Sequence, residues 1–272
     1  MIRRFFPLVA LLFVLSACGN DAELSEGMDQ GINSEKGTDM DPRNESEVTV
    51  TPMPPTAEFR DAAINDWTYE KGTFTYDVSN YEFGQQTSDA GQLMCANSEK
   101  GQHVHLIVDN EPYIAKYEPT FDQALRDGDH HILTFLSRSY HESIKTPAAH
   151  RAVKTTVNGG AFSSPTEITA PMLFYSRPKG SYVGREQTEN VMLDFYPINV
   201  TIGEDDYAVR ATINGKEFMI NTWQPYYVKG LPMGDNEITL TLMQGDSIVN
   251  TPLNPVTRTF TLAADPAEQT MR

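Results

Sequence analysis

The sequence predicts an all-β protein: two tandem, related β-sandwich domains that follow a disordered tether. Three observations carry this. A unit of about 105 residues occurs twice, apolar and polar residues alternate over short runs, and the body shows no apolar spacing of amphipathic-helix type.

The chain opens on Arg3 and Arg4, followed by an apolar run from Phe5 to Leu15. A bilayer span needs about 20 apolar residues, so residues 1–17 read as a cleaved signal peptide. The tetrapeptide Leu15-Ser16-Ala17-Cys18 resembles the lipobox of bacterial lipoproteins. That resemblance implies cleavage before Cys18, diacylation of its sulfur and acylation of its new amino group. The expected location is the outer membrane, on the periplasmic side or the cell surface. Losing Arg3 and Arg4 takes the formal charge from −16 to −18. Nothing in so acidic a chain would neutralise phosphates, which excludes nucleic-acid binding and leaves membrane attachment to the acyl chains.

Residues 18–62 read as the tether. Eleven acids face Lys36, Arg43 and Arg60, and no aromatic residue occurs between Phe13 and Phe59. Such a segment buries too little apolar surface to offset its ordering entropy. As a loose coil of about 45 residues it would reach roughly 35–40 Å. Asp21, Glu23 and Glu26 resemble the acidic surface-export signals of Bacteroidota lipoproteins.

The repeat divides the body into residues 63–163 and 164–272. The run from His103 to Tyr113 aligns with Ala208 to Phe218, Leu125 to Asp129 with Leu231 to Asp235, and Val157 with Leu262. The join is placed at Asn158-Gly159-Gly160 to Ser163-Ser164-Pro165, which has linker composition. A segment from about Ser164 to Arg272 is expected to fold alone, since roughly 100 residues can hold a core.

Both copies read as strands. Val209, Ala211 and Ile213 alternate with Arg210 and Thr212, and Asn214-Gly215 then suits a type I′ hairpin turn. Ile238 to Leu242 alternates again, and Thr257 to Leu262 closes the copy with a β-branched run. Short strands spaced by turn signals point to immunoglobulin-like or cupredoxin-like sandwiches.

All six histidines fall between His103 and His150, in the first copy. His103 and His105 lie two apart on a strand and so share a face. Their counterparts are Ala208 and Arg210, and an arginine normally meets water, so both histidines are expected on the outer face. His131 matches Glu237 and is also expected outside. A pair at i and i+2 can chelate copper or zinc, with a third ligand from His131, His141, Glu142 or the Met94-Cys95 segment. Such binding should weaken toward about pH 6, because a ligating imidazole must be neutral. A polar patch for a small ligand, or no site at all, remain the alternatives. Cys95, without a partner once Cys18 carries lipid, is read as a buried apolar residue or a soft metal ligand.

Arg138, flanked by Ser137, Ser139 and Tyr140, offers an anion-binding alternative to an ordinary loop. Trp223, Tyr226 and Tyr227 form either a stacking platform or, since Trp223 and Tyr227 align with Tyr117 and Phe121, core of the shared fold. No nucleophile elbow, phosphate loop, dinucleotide fingerprint or zincin motif occurs, so no enzyme is expected.

The stretch Gly101 to Asp109, with Phe135 to Ser143, resembles Bacteroidota envelope lipoproteins that carry a His-x-His strand motif. The resemblance implies location and fold, and no reaction. The expected role is non-catalytic binding centred on His103, His105, His131 and His141, with Arg138 and Tyr140 as ligand-binding residues. The alternative is a structural or adhesion lipoprotein that contacts envelope protein or glycan without a metal.

Overall fold

A computed structural model describes residues 47–269. The signal peptide, Cys18 and the tether up to residue 46 lie outside the described residues. The first strands in chain order are β1 (Thr49–Pro52), β2 (Ala63–Glu70), β3 (Thr73–Ser79), β4 (His103–Val108), β5 (Ile114–Lys116) and β6 (Thr120–Asp122). Then come β7 (Gly128–Ser137), β8 (His150–Asn158), β9 (Ala161–Glu167), β10 (Met172–Arg177), β11 (Gly180–Val183) and β12 (Val191–Ile198). The last are β13 (Tyr207–Ile213), β14 (Lys216–Ile220), β15 (Tyr226–Lys229), β16 (Gly234–Gln244), β17 (Ser247–Ile248) and β18 (Val256–Ala263). Among the described residues, α-helix is confined to two single turns, α1 (Arg185–Thr188) and α2 (Pro266–Gln269).

The strands form four sheets, and these pair into two sandwiches. Sheet β2-β3-β6 faces β5-β4-β7-β8-β9, and sheet β1-β15-β12-β10 faces β11-β18-β16-β13-β14, with β17 on β16. The repeat is visible in the register. Val108 pairs with Ile132 across β4 and β7, as Ile213 pairs with Ile238 across β13 and β16. Gly128 pairs with Val157 as Gly234 pairs with Leu262. Alternation supplies the cores. Val104, Leu106, Ile132 and Leu136 meet Ile64, Phe74 and Tyr76 in the first sandwich. Val209, Ala211, Ile213, Leu240 and Leu242 meet Leu193, Phe195 and Val228 in the second. The Asn214-Gly215 turn is formed as expected, with both residues at positive φ (47° and 85°).

Two expectations are corrected. The stretch Asn158-Gly159-Gly160 is not a linker. Gly159 and Gly160, at φ +55° and +76°, turn a hairpin that pairs Asn158 with Ala161 and joins β8 to β9. Glycine-rich composition marks tight hairpin turns as well as linkers. The first sandwich thus runs to Glu167, and residues 168–171 connect it to β10. The tether is likewise shorter at its end. β1 pairs with β15 of the second sandwich, Val48 and Val50 pack on its core, and Met53 is buried beside Cys95, Tyr140 and Met192. The β-branched run Val48-Thr49-Val50-Thr51 was the overlooked strand signal.

The sandwiches share an apolar seam. Ile107, Leu133 and Phe135 on the outer face of β4 and β7 pack against Met172, Phe174, Tyr196 and Ile198 of β10 and β12. Each such buried side chain contributes roughly 1.5–3 kcal/mol, so the seam matches the net stability of a typical domain in scale. Polar straps cross it. The Asn110 amide donates to the carbonyls of Leu173 and Leu253 and accepts from Tyr175 N–H. Arg258 on β18 donates to the carbonyls of Ser176, Asn110 and Glu111.

A three-histidine candidate metal centre

On β4, Val104 and Leu106 enter the first core, so His103 and His105 emerge on the opposite face, as the repeat predicts. The expectation that this face meets water is corrected: both residues are 0% exposed. The second sandwich covers them. The equivalent face of the second copy stays partly open, with Arg210 paired to Glu217 at 3.6 Å. The two copies differ because only one of two equivalent faces lies in the seam.

His141 comes to the same place by a turn. After β7, Arg138 N–H donates to the Glu142 carbonyl and His141 N–H to the Arg138 carbonyl, both at 2.9 Å. His141 sits at φ 72°, a left-handed conformation that aims its ring back over β4. The result is a compact triad. His103 Nε2 lies 2.9 Å from His105 Nε2 and 3.0 Å from His141 Nδ1. One ligand atom from each histidine falls within 4.8 Å of the others, with His141 the least buried.

Neighbours orient each ring. His103 Nδ1 lies 2.8 Å from the Gly101 carbonyl, which can only accept, so that nitrogen carries the proton and Nε2 presents a lone pair. His105 Nδ1 faces Ser176 Oγ at 3.3 Å, and its ring stacks on Tyr113 at 3.6 Å and 6°. Tyr113 Oη reaches His141 Nδ1 at 3.3 Å and accepts from Arg177 Nη1 at 2.8 Å. A single lone pair on His103 therefore faces two nitrogens. It can satisfy one donor well, whereas one cation would satisfy all three rings. Carbonyl and hydroxyl partners on the far ring nitrogen are the usual second layer around a ligating histidine.

Burial holds the rings neutral. It pushes His103 down to about 4, against the Gly101 hydrogen bond and with help from Arg177 and Lys179. His105 is held well below its ordinary value by burial, then by His103, His141, Arg177 and Lys179. His141 follows from burial, then Arg177, His103 and Lys179. Neutral imidazole is the form that ligates.

The other expected residues do not join the triad. His131 is half-buried, its backbone N–H bonded to Asp109, and it lines a cavity of about 280 Å³ with Lys154, Glu167 and Met172. Met94 is exposed, and Cys95 is buried among Met53, Leu93 and Tyr227, where burial pushes its thiol up to about 12. Cys95 thus fits the apolar reading. Arg138 and Tyr140 are corrected as ligand-binding residues. Every guanidinium nitrogen of Arg138 is engaged, by the Ala57 and Ser143 carbonyls and by Glu142. Tyr140 is fully buried and donates to Asp89. Both brace the turn that presents His141. Trp223 donates to the Phe195 carbonyl and Tyr227 is buried, so these aromatics pack the fold.

The sequence reading missed Tyr113, Ser176, Arg177 and Lys179. Ser176-Arg177-Pro178-Lys179 placed two cations within an apolar stretch of an acidic chain, which was a usable signal.

No protein-family model and no curated protein matches the chain. Among solved structures, fibronectin(III)-like modules of Clostridium thermocellum CbhA are similar at 13% identity and TM-score 0.27, over 79% of this chain and 95% of theirs. A central fibronectin-III array of RIM-binding protein gives 12% and 0.26, over 78% of this chain and 72% of that one. An Antarctic bacterium's Ca2+-stabilized, ice-binding adhesin gives 14% and 0.23, over 75% and 50%. The fold class rests on the strand pairing described above.

Proposed function

We propose that this chain is a lipid-anchored envelope protein with a non-catalytic binding role, and that His103, His105 and His141 hold a copper or zinc ion. The observation that carries the reading is the convergence of three neutral imidazole nitrogens within 4.8 Å, one of them fixed as a lone pair by the Gly101 carbonyl. Imidazole suits copper and zinc, and three histidines leave a fourth position open. The anchor part of the reading rests on Leu15-Ser16-Ala17-Cys18. Mass spectrometry of the mature N-terminus tests it: a chain starting at an acylated Cys18 is expected, and an unmodified N-terminus elsewhere removes the anchor.

A second reading keeps the sandwiches as a structural or adhesive pair that contacts protein or glycan, with the histidines as a hydrogen-bonded seam. Arg177 and Lys179 favour it, because cations beside the triad disfavour a metal ion. Calorimetric titration of the metal-free protein with Cu+, Cu2+ and Zn2+ separates the two. One ion per chain at sub-micromolar affinity is expected, with the melting temperature rising by about 5–10 °C at a hundredfold excess over Kd. No binding at micromolar metal leaves the second reading.

A further inference from the structure

The charge around the triad is one-sided. Arg177 is 5% exposed, donates through Nη1 to Tyr113, and leaves Nε buried without a partner. Lys179 Nζ lies 3.9 Å from the centre of the Tyr113 ring, whose other face is taken by His105, and donates to the Tyr113 carbonyl. Neither cation forms an ion pair with any described carboxylate. Burial with Arg177 and Arg258 nearby holds Lys179 down to about 8. A buried cation is normally paired. Adding a divalent ion to three neutral rings would raise the positive charge further. A cleft of about 440 Å³ opens beside Lys179, between residues 109–112 and 253–259.

We infer that the centre takes a small oxyanion, of phosphate or carboxylate type, as its exogenous fourth ligand, held by Arg177 of the second sandwich, whose Nη1 partner Tyr113 Oη lies 3.3 Å from His141 Nδ1. The inference rests on the metal reading above. Imidazoles from one sandwich would hold the ion, and the Arg177 guanidinium fork from the other would hold the anion that offsets it. The metal and the anion would then bind with positive coupling, each strengthening the other by the same factor.

Cobalt(II) serves as the probe, because its visible absorption reports coordination. The full-length protein is loaded with Co2+ in anion-poor buffer and titrated with inorganic phosphate and, separately, acetate. A saturable change in the spectrum is expected with at least one of them. Co2+ affinity should rise about tenfold at saturation. Arg177→Gln should lose most of that response. If Arg177→Gln does not fold, Arg177→Lys, which keeps the charge and loses the fork, decides, with a weakened response expected. A Co2+ spectrum indifferent to both anions, or an undiminished response in the variants, overturns the inference and leaves the metal reading standing. Phosphate binding equally well to metal-free and Co2+-loaded protein overturns the coupling and with it the inference. Absence of any Co2+ spectrum, with or without anions, overturns the metal reading itself.

Discussion

His141 stands on a left-handed backbone at φ 72°, and asparagine tolerates that conformation better than most residues. His141→Asn is therefore expected to keep the fold while removing one ligand. A four-ligand structural zinc site yields roughly 10–16 kcal/mol, so losing one ligand should weaken metal binding about a hundredfold. Calorimetry with the variant checks this, with the melting temperature as the control for folding. His105→Ala behaves differently. The ring is fully buried between Tyr113 and Phe135, so truncation leaves a cavity and should cost about 2–4 kcal/mol by chemical denaturation. The pH dependence follows from the same burial. Unfolded imidazoles take up protons below about 6.5, while the folded rings resist them until lower pH. The unfolded chain thus binds more protons in that window. Stability should be complete above about pH 6.5 and fall as the pH drops toward 4, the value to which His103 is depressed. Proton competition with a metal moves down with it. Affinity should change little between pH 7.5 and 5.5, where exposed histidines would have lost it.

At the scale of the element, the two copies use one device at the start of their long strands. Asp109 and Asn214, both at positive φ, accept from the backbone N–H of His131 and Glu237. Their second side-chain atoms meet His130 and Asn236, which in turn contact the carbonyls four residues earlier, of Arg126 and Pro232. His130 thus serves the fold, as Asn236 does in the second copy. Asp109→Asn installs the second copy's chemistry and should cost under about 1 kcal/mol, whereas Asp109→Ala removes both bonds and should cost about 2–4 kcal/mol. Equilibrium urea unfolding distinguishes them. The other telling element is β1, which covers the edge of β15. A variant beginning at residue 54 would expose that edge, and exposed edges pair with other chains. A lower melting temperature and concentration-dependent association in size-exclusion chromatography are expected.

For the whole molecule, the seam determines how the two sandwiches behave. β1–β18 belong to one compact unit. Phe174, Tyr196 and Ile198 would face water if the second sandwich stood alone, and β1 would be missing from its sheet. The expectation of independent folding therefore gives way to a single cooperative transition for the intact protein. A segment from Ser164 to Arg272 should aggregate or lack a sharp transition. Calorimetry of the full chain and of that segment checks both statements. Two separate transitions in the full chain would mean that the seam contributes little.

Local pattern by itself determined the all-β class, the two copies and their register, and the side of β4 on which His103 and His105 emerge. Each of these follows from period-two alternation and turn chemistry, which act over a few residues. The sequence could also name His141 as a third ligand, but only beside His131, Glu142 and the Met94-Cys95 segment. Tertiary structure brings His141 alone of these into the cluster with His103 and His105, because that placement depends on a left-handed turn braced by Arg138 and Tyr140 rather than on any spacing. It also decided that the histidine face is buried. Alternation says which way a side chain points from its own sheet, and it is silent about what packs there next. Ser176 and Arg177 reach the site from the other sandwich, about 70 residues away, and only the packing of one β-sandwich on the other brings them together.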